Sequence, residues 1–187
     1  MSRKKKTSRN KTYKEILISF FDFICYNLCG DYMKEKLNGI LFFSIIFMLV
    51  DQIIKFFITD KMVINQSITL IRDFFFITYT HNTGAAFSIF SENTYLLILI
   101  AIITVIGLGY YVIKLESIDD IDVFIYSLLF GGIIGNLIDR IINGYVIDYL
   151  SFKFGTYYFP IFNFADMCIV VSVILILIRM IKEDLWK

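Results

Sequence analysis

The stretch Gly131–Asp166, GGIIGNLIDRIINGYVIDYLSFKFGTYYFPIFNFAD, decides how the chain is read. It begins inside one strongly apolar segment and ends inside the next. Between them it places Asn136, Asp139, Arg140, Asp148, Asn163 and Asp166. An ionisable side chain in hydrocarbon is costly unless paired, so such a concentration marks a working site by default. The apolar segments on either side would mount that site at one face of a bilayer.

The composition agrees with a membrane setting. Of 187 residues, 58% are hydrophobic, 18% aromatic and 19% charged, and the mean hydropathy is +0.71; globular chains sit near about 45–50% apolar. The formal net charge of +1 gives no global field for nucleic acid. Cys25, Cys29 and Cys168 are an odd set without a C-x-x-C, which speaks against a disulfide framework and against a thiol oxidoreductase. His81 is the only histidine, so a His-rich metal site is excluded, a Ser/His triad would rest on that one residue, and carboxylates are the favoured chemistry-bearing groups. No metal and no cofactor are expected.

Residues 1–14 form a basic, polar tail, and residues 15–29 are apolar but short, interrupted by Asp22 and Asn27. They predict an interfacial amphipathic helix; an aspartate in mid-core and no small-residue cleavage site speak against a signal peptide. Residues 1–38 are thus expected as a cytoplasmic preamble and 39–187 as a membrane domain. Four spans follow at about Gly39–Ile58, Tyr95–Ile113, Val123–Ile142 and Phe164–Ile181. Each is long enough, at about 1.5 Å per residue, to cross roughly 30 Å of hydrocarbon. Lysine and arginine crowd the N-terminal segment and the C-terminal end (Arg179, Lys182, Lys187), whereas the opposite side has Lys61, Arg72, Arg140 and Lys153. Both termini are therefore expected in the cytoplasm.

Two loops are left outside. In the first, Ile68–Thr80 (ITLIRDFFFITYT) is rich in β-branched and aromatic residues and predicts a small β element within about 62–90. The tight-turn segment HNTGAAFSIF follows. The second loop, Asn143–Asn163, carries Tyr145, Tyr149, Tyr157, Tyr158 and Phe159, read as an aromatic belt at headgroup depth. The fold class expected is an all-α membrane protein of four transmembrane helices, with a small extracytoplasmic β element and an N-terminal interfacial helix.

On this topology the polar groups gather near the outer surface. Asp51 and Lys55 share a face of span one, and Asn136 and Arg140 share one on span three, with Asp139 beside them. Asn163 and Asp166 open span four, while Asn82 and Asp148 sit in the outer loops. Simpler roles exist for each. Asp51 with Lys55 reads as an ion pair holding span one, and Asp139 with Arg140 as a helix-end pair. Asn163 reads as a helix cap with Asp166 in the first turn, Asp148 as a solvated loop residue, and Gly131, Gly132 and Gly135 as a close-packing seam.

Five motifs in order shift that balance: Asp51-Gln52-x-x-Lys55, Asn82-x-Gly84-Ala85-Ala86-Phe87, Gly131-Gly132-x-x-Gly135-Asn136-x-x-Asp139-Arg140, Val146-x-Asp148-Tyr149 and Phe162-Asn163-x-Ala165-Asp166. Together they resemble the lipoprotein signal peptidase (signal peptidase II) family over roughly residues 39 to 182. The resemblance implies an aspartic endopeptidase of the cytoplasmic membrane, sensitive to the cyclic peptide globomycin. Such an enzyme cuts prolipoproteins before a cysteine that carries diacylglycerol. It implies Asp148 and Asp166 as the catalytic pair. Asn82, Gly84, Asn136, Arg140 and Asn163 are implied around the substrate, and Asp51, Lys55 and Asp139 in support. Tyr149 stands where the family pattern has phenylalanine. The expected partners are diacylglyceryl-modified prolipoproteins and membrane lipid, with a monomer as the working unit. The rival reading is a small non-catalytic transporter or channel subunit, which predicts polar residues through the full membrane depth. A structural helper of a membrane complex is the third.

Overall fold

The computed structural model describes residues 13–84 and 93–185, with side chains for 32–84 and 93–182. In chain order the elements are α1 (Tyr13–Lys61), β1 (Ser67–Ile71), β2 (Phe75–Asn82), α2 (Thr94–Lys114), α3 (Asp120–Asn143), β3 (Val146–Phe154), β4 (Tyr157–Tyr158) and α4 (Phe164–Leu185). Four helical segments are long and apolar enough to span: Tyr32–Lys61, Thr94–Lys114, Asp120–Asn143 and Phe164–Lys182. The protein is a multi-pass membrane protein. Residues 13–31 run without a break into the first span, so the expected N-terminal helix is the leading part of α1 and not a separate element. Of the basic tail expected over residues 1–14, residues 1–12 lie outside the described part and 13–14 begin α1.

Helix α3 is the centre of the bundle. Its apolar stretch is 56% buried, against 22%, 11% and 17% for α1, α2 and α4. The outward side chains of the other three, such as Phe56, Ile106 and Ile174, are exposed where lipid would cover them. The chain starts and stops α3 with strong local signals. Asp119 and Asp122 form a reciprocal capping box. Gly144 ends the helix in the left-handed region at φ 81°, its N–H bonded to the Arg140 carbonyl.

Lipid tails offer no hydrophobic drive between helices, so close approach must do the packing. The glycine seam of α3 supplies it on two sides. A Cβ on Gly131 would lie 2.7 Å from Phe47 Cβ and 2.9 Å from the Ser44 carbonyl of α1. One on Gly132 would lie 2.5 Å from the Ala165 carbonyl of α4. The end of the bundle away from the sheet is tied by ion pairs, Lys36 to Asp120 and Arg179 to Asp119 and Asp122.

The sheet lies at the other end, in the order β1-β2-β3-β4, with antiparallel neighbours. The loop between the first two spans makes β1 and β2, as its composition predicts; the part of its turn motif from Ala85 to Phe90 lies outside the described residues. The loop between the last two spans differs from its reading as a belt. It forms β3 and β4, and β3 joins β2 in one sheet. The first four residues of VIDYLSFKF are all buried and do not alternate, which masks the strand at its start, although Leu150–Phe154 (LSFKF) does carry a period-2 signal. Tyr149 is accordingly 3% exposed and is a core residue, while Tyr157, Tyr158 and Phe159 do stay exposed.

Gly132→Leu should prevent α3 from seating on α4 and sharply lower the unfolding temperature of the detergent-solubilised protein. Gly107→Ala should leave that temperature unchanged or slightly raise it, because no atom lies within 4 Å of the added methyl.

Candidate active site

The two loop segments meet because β2 pairs with β3. The register sets Thr80 opposite Asp148 and Asn82 opposite Val146. It carries the Asn82 side chain to Asp148, Nδ2 donating to Oδ2 at 2.8 Å. Helix α4 then brings the second aspartate. Asn163 caps α4 by accepting the Asp166 N–H at 2.9 Å on its Oδ1, and Asp166 Oδ2 accepts the Asn163 N–H at 3.2 Å. The same Asn163 side chain donates from Nδ2 to Asp148 Oδ1 at 2.7 Å. One residue therefore caps a helix and bridges to the other aspartate.

Asn136, from α3, completes the ring. Its Nδ2 donates to Asp166 Oδ1 at 2.7 Å, and its Oδ1 accepts from Asn163 Nδ2 at 3.1 Å and from Lys55 Nζ at 3.0 Å. Each of the four carboxylate oxygens of Asp148 and Asp166 thus accepts one amide hydrogen. Asn163 is fully buried and Asp148 is 2% exposed, whereas Asp166 is half-buried. Burial, and then the neighbouring Asp166, push the Asp148 carboxyl up to about 7.

Beneath this ring lies a buried ionic group. Lys55 Nζ sits 2.7 Å from Asp51 Oδ2 and 2.8 Å from Asp139 Oδ2, and all three side chains are almost wholly buried. Asp51 Oδ1 accepts the Ala165 N–H of α4 at 3.0 Å, and Asp139 Oδ2 accepts the Ile147 N–H of β3 at 3.1 Å. The expected Asp51–Lys55 pair is present, but Asp139 pairs with Lys55 and not with Arg140. The reason is helical geometry, since adjacent residues point about 100° apart. Gln52 belongs here too. It appears in the sequence pattern without a role, and its Nε2 reaches Asp139 Oδ1 at 3.0 Å and the Gly135 carbonyl at 3.1 Å. Its place three residues before Lys55, on the same helix face, was a usable signal. Gly135 leaves room for Asp51, because a Cβ there would come within 2.7 Å of Asp51 Oδ2.

Arg140 reaches over the ring, with Nη2 donating to the Gly84 carbonyl at 3.0 Å. Its Nε is the one buried side-chain nitrogen or oxygen without a partner among the described residues. A cleft of about 780 Å³ opens onto the site. Asn82, Asn136, Arg140, Asp148 and Asp166 line its polar part, and Met167, Val170 and Val171 its apolar part. All ten residues singled out from sequence fall in the ring, the ionic group or the Arg140 contact. Among the described residues no three His, Cys, Asp or Glu side chains are grouped so as to hold a metal ion.

Residues 43–182 match the model of the family described as signal peptidase (SPase) II. The chain belongs to this family. The lipoprotein signal peptidase of Symbiobacterium thermophilum is 36% identical over 141 residues, which cover 75% of this chain and 93% of that one. The lipoprotein signal peptidase of Clostridium acetobutylicum is 37% identical over 137 residues, covering 73% and 89%. Two solved structures, each described as a bacterial membrane enzyme, superpose with TM-scores of 0.73 and 0.70 at 35% and 36% identity. They cover 79% and 78% of this chain and 90% and 94% of their own chains. Membership in a signal peptidase family makes the chain a peptidase and sets aside the transporter and helper readings.

Lys55→Met should destabilise the protein by about 3–5 kcal/mol, because it strands Asp51 and Asp139 as buried carboxylates without a counter-ion. Adding Asp51→Asn and Asp139→Asn should restore part of that loss in detergent unfolding. A second expectation concerns pH. Asp148 keeps its proton to about 7 when folded, against 3.8 ordinarily. The stability linked to that proton is complete below about pH 4 and is lost as pH rises through about 7. The unfolding temperature should therefore fall less steeply between these values in Asp148→Asn than in the parent; equal slopes would refute it.

Proposed function

We propose that this chain is an aspartic endopeptidase that removes the signal peptide from prolipoproteins carrying a diacylglyceryl cysteine, cutting N-terminal to that cysteine. The observation that carries this reading is the convergence of Asp148 and Asp166 on one cleft, linked through Asn163 and Asn136. The curated relatives named above are lipoprotein signal peptidases.

Two neighbouring carboxyls, one buried and one half-buried, do not both ionise readily, so the pair holds one proton at neutral pH. The ionised member takes a proton from water as the oxygen attacks the scissile carbonyl. The protonated member donates to the carbonyl oxygen, and then a proton passes to the leaving nitrogen. No covalent intermediate forms. Which member acts as acid and which as base is a property of the pair. Arg140 and Asn82 line the cleft and serve to hold the substrate backbone and steady the developing oxyanion. Gly84 fixes Arg140 through its carbonyl. Lys55, Asp51 and Asp139 support the ring from below.

The cleft also matches the substrate's two natures. Its apolar side includes the exposed Met167, Val170 and Val171 of α4, where acyl chains can remain in lipid while the cysteine backbone reaches the aspartates. Lys34, Lys36, Arg179 and Lys182 lie at the end away from the sheet, so that end is assigned to the cytoplasm and the site to the outer face.

Asp148→Asn and Asp166→Asn should each lower cleavage of a diacylglyceryl-modified precursor peptide in detergent by at least about 10²–10⁴-fold. Both variants should still insert and unfold cooperatively, and the parent's cleavage should be blocked by globomycin. Near-normal turnover by either variant would remove the dyad.

A further inference from the structure

Among the buried titratable groups near the dyad that the mechanism above leaves unused is the Tyr149 hydroxyl. Tyr149 follows Asp148 on β3 and is 3% exposed. Its hydroxyl accepts the Phe164 N–H at 3.1 Å. Phe164 is the first residue of α4, two before Asp166. The side chain therefore spans from the strand that carries one aspartate to the backbone of the helix that carries the other.

The first turn of α4 shows how specific this link is. Every α-helix begins with N–H groups that have no partner within the helix. Here the Ala165 N–H goes to Asp51 of α1, and those of Asp166 and Met167 go back to Asn163, the helix's own cap. The Phe164 N–H alone is taken by a side chain of β3. Backbone bonds between Leu150 and Phe162 bring β3 and the approach to α4 together just before this point. The Tyr149 ring then acts as a rigid spacer, with its base next to Asp148 and its hydroxyl on the helix end. A phenylalanine, which the family pattern has here, offers no acceptor to that N–H.

We propose that Tyr149 is a positioning residue whose hydroxyl, by holding the first amide of α4, fixes the separation of the Asp148 and Asp166 carboxyls. This rests on the dyad reading. A shared proton and an attacking water both depend on that separation, so a small drift of the helix end lowers turnover without weakening substrate binding.

The test is a double-mutant cycle on the full chain in detergent with a diacylglyceryl-modified precursor peptide. Tyr149→Phe removes the acceptor. Phe164→Pro removes the donor at the first helical position, where proline is well tolerated. Tyr149→Phe should lower kcat about threefold to tenfold with KM unchanged, and should move the pH profile of kcat. Phe164→Pro should do the same, and the double variant should lose no more than either single one. An unchanged kcat in Tyr149→Phe, a change in KM alone, or equal further losses from Tyr149→Phe in both backgrounds would overturn the proposal. If Phe164→Pro fails to unfold cooperatively, Tyr149→Phe decides alone through kcat and its pH profile. A parent that does not cleave refutes the peptidase reading; a parent that cleaves beside an unaffected Tyr149→Phe refutes only the positioning role.

Discussion

The ammonium of Lys55 is the interaction on which the rest depends. It has three hydrogens to give and no acceptor. They go to Asp51, Asp139 and the carbonyl oxygen of Asn136. That last bond has consequences beyond its own energy. An amide whose oxygen must face a cation has to turn its nitrogen the other way, and here that way is Asp166. The Asn136 oxygen then accepts from Asn163, whose second amide hydrogen goes to Asp148. One buried charge thus settles the orientation of two amides and presents a donor to each aspartate. Asp51 and Asp139 extend the same constraint into the backbone, fixing the start of α4 and the start of β3 through the N–H groups of Ala165 and Ile147.

Much of this was legible in the residues because bilayer physics is unforgiving. Polar groups in apolar segments had to meet somewhere, and four spans of known length left one depth for them. The gathering of Asp51, Lys55, Asn82, Asn136, Arg140, Asp148, Asn163 and Asp166 follows from that. What was not legible depends on side-chain direction and on strand pairing. Asp139 is next to Arg140 in the chain, yet it faces α1 and bonds Lys55. The segment from Val146 reads as an aromatic loop, but burial on both faces hides the strand. Tyr149 looked like a headgroup-level aromatic for the same reason. Gln52 carried a helical-spacing signal without a charge to draw notice. The simpler roles were also partly right: Asn163 and Asp166 do cap α4, and the glycines of α3 do pack, while the same atoms border the cleft.

The arrangement of helices follows from α3 meeting α1 and α4 through its glycine seam. Small residues allow backbones to approach without help from water, which is the condition for a tight bundle in lipid. Gly135 shows that the seam and the site are one structure, since the space its missing side chain leaves is taken by the Asp51 carboxylate. The end tied by Lys36 and Arg179 is held by partly exposed ion pairs, and the sheet end by buried ones.

Because Asn163 and Asp166 are at once the first-turn cap of α4 and half of the polar ring, the order of assembly is constrained. A helix entering the bilayer must satisfy its leading amides before it is stable there, and this one borrows Asp51 from α1 and Tyr149 from β3 to do so. Two of its leading amides are therefore satisfied by its own cap, and two only once the first helix and the late strand are in place. The contacts that complete the capping of α4 are thus the same ones that seat Asp166 against the strand carrying Asp148.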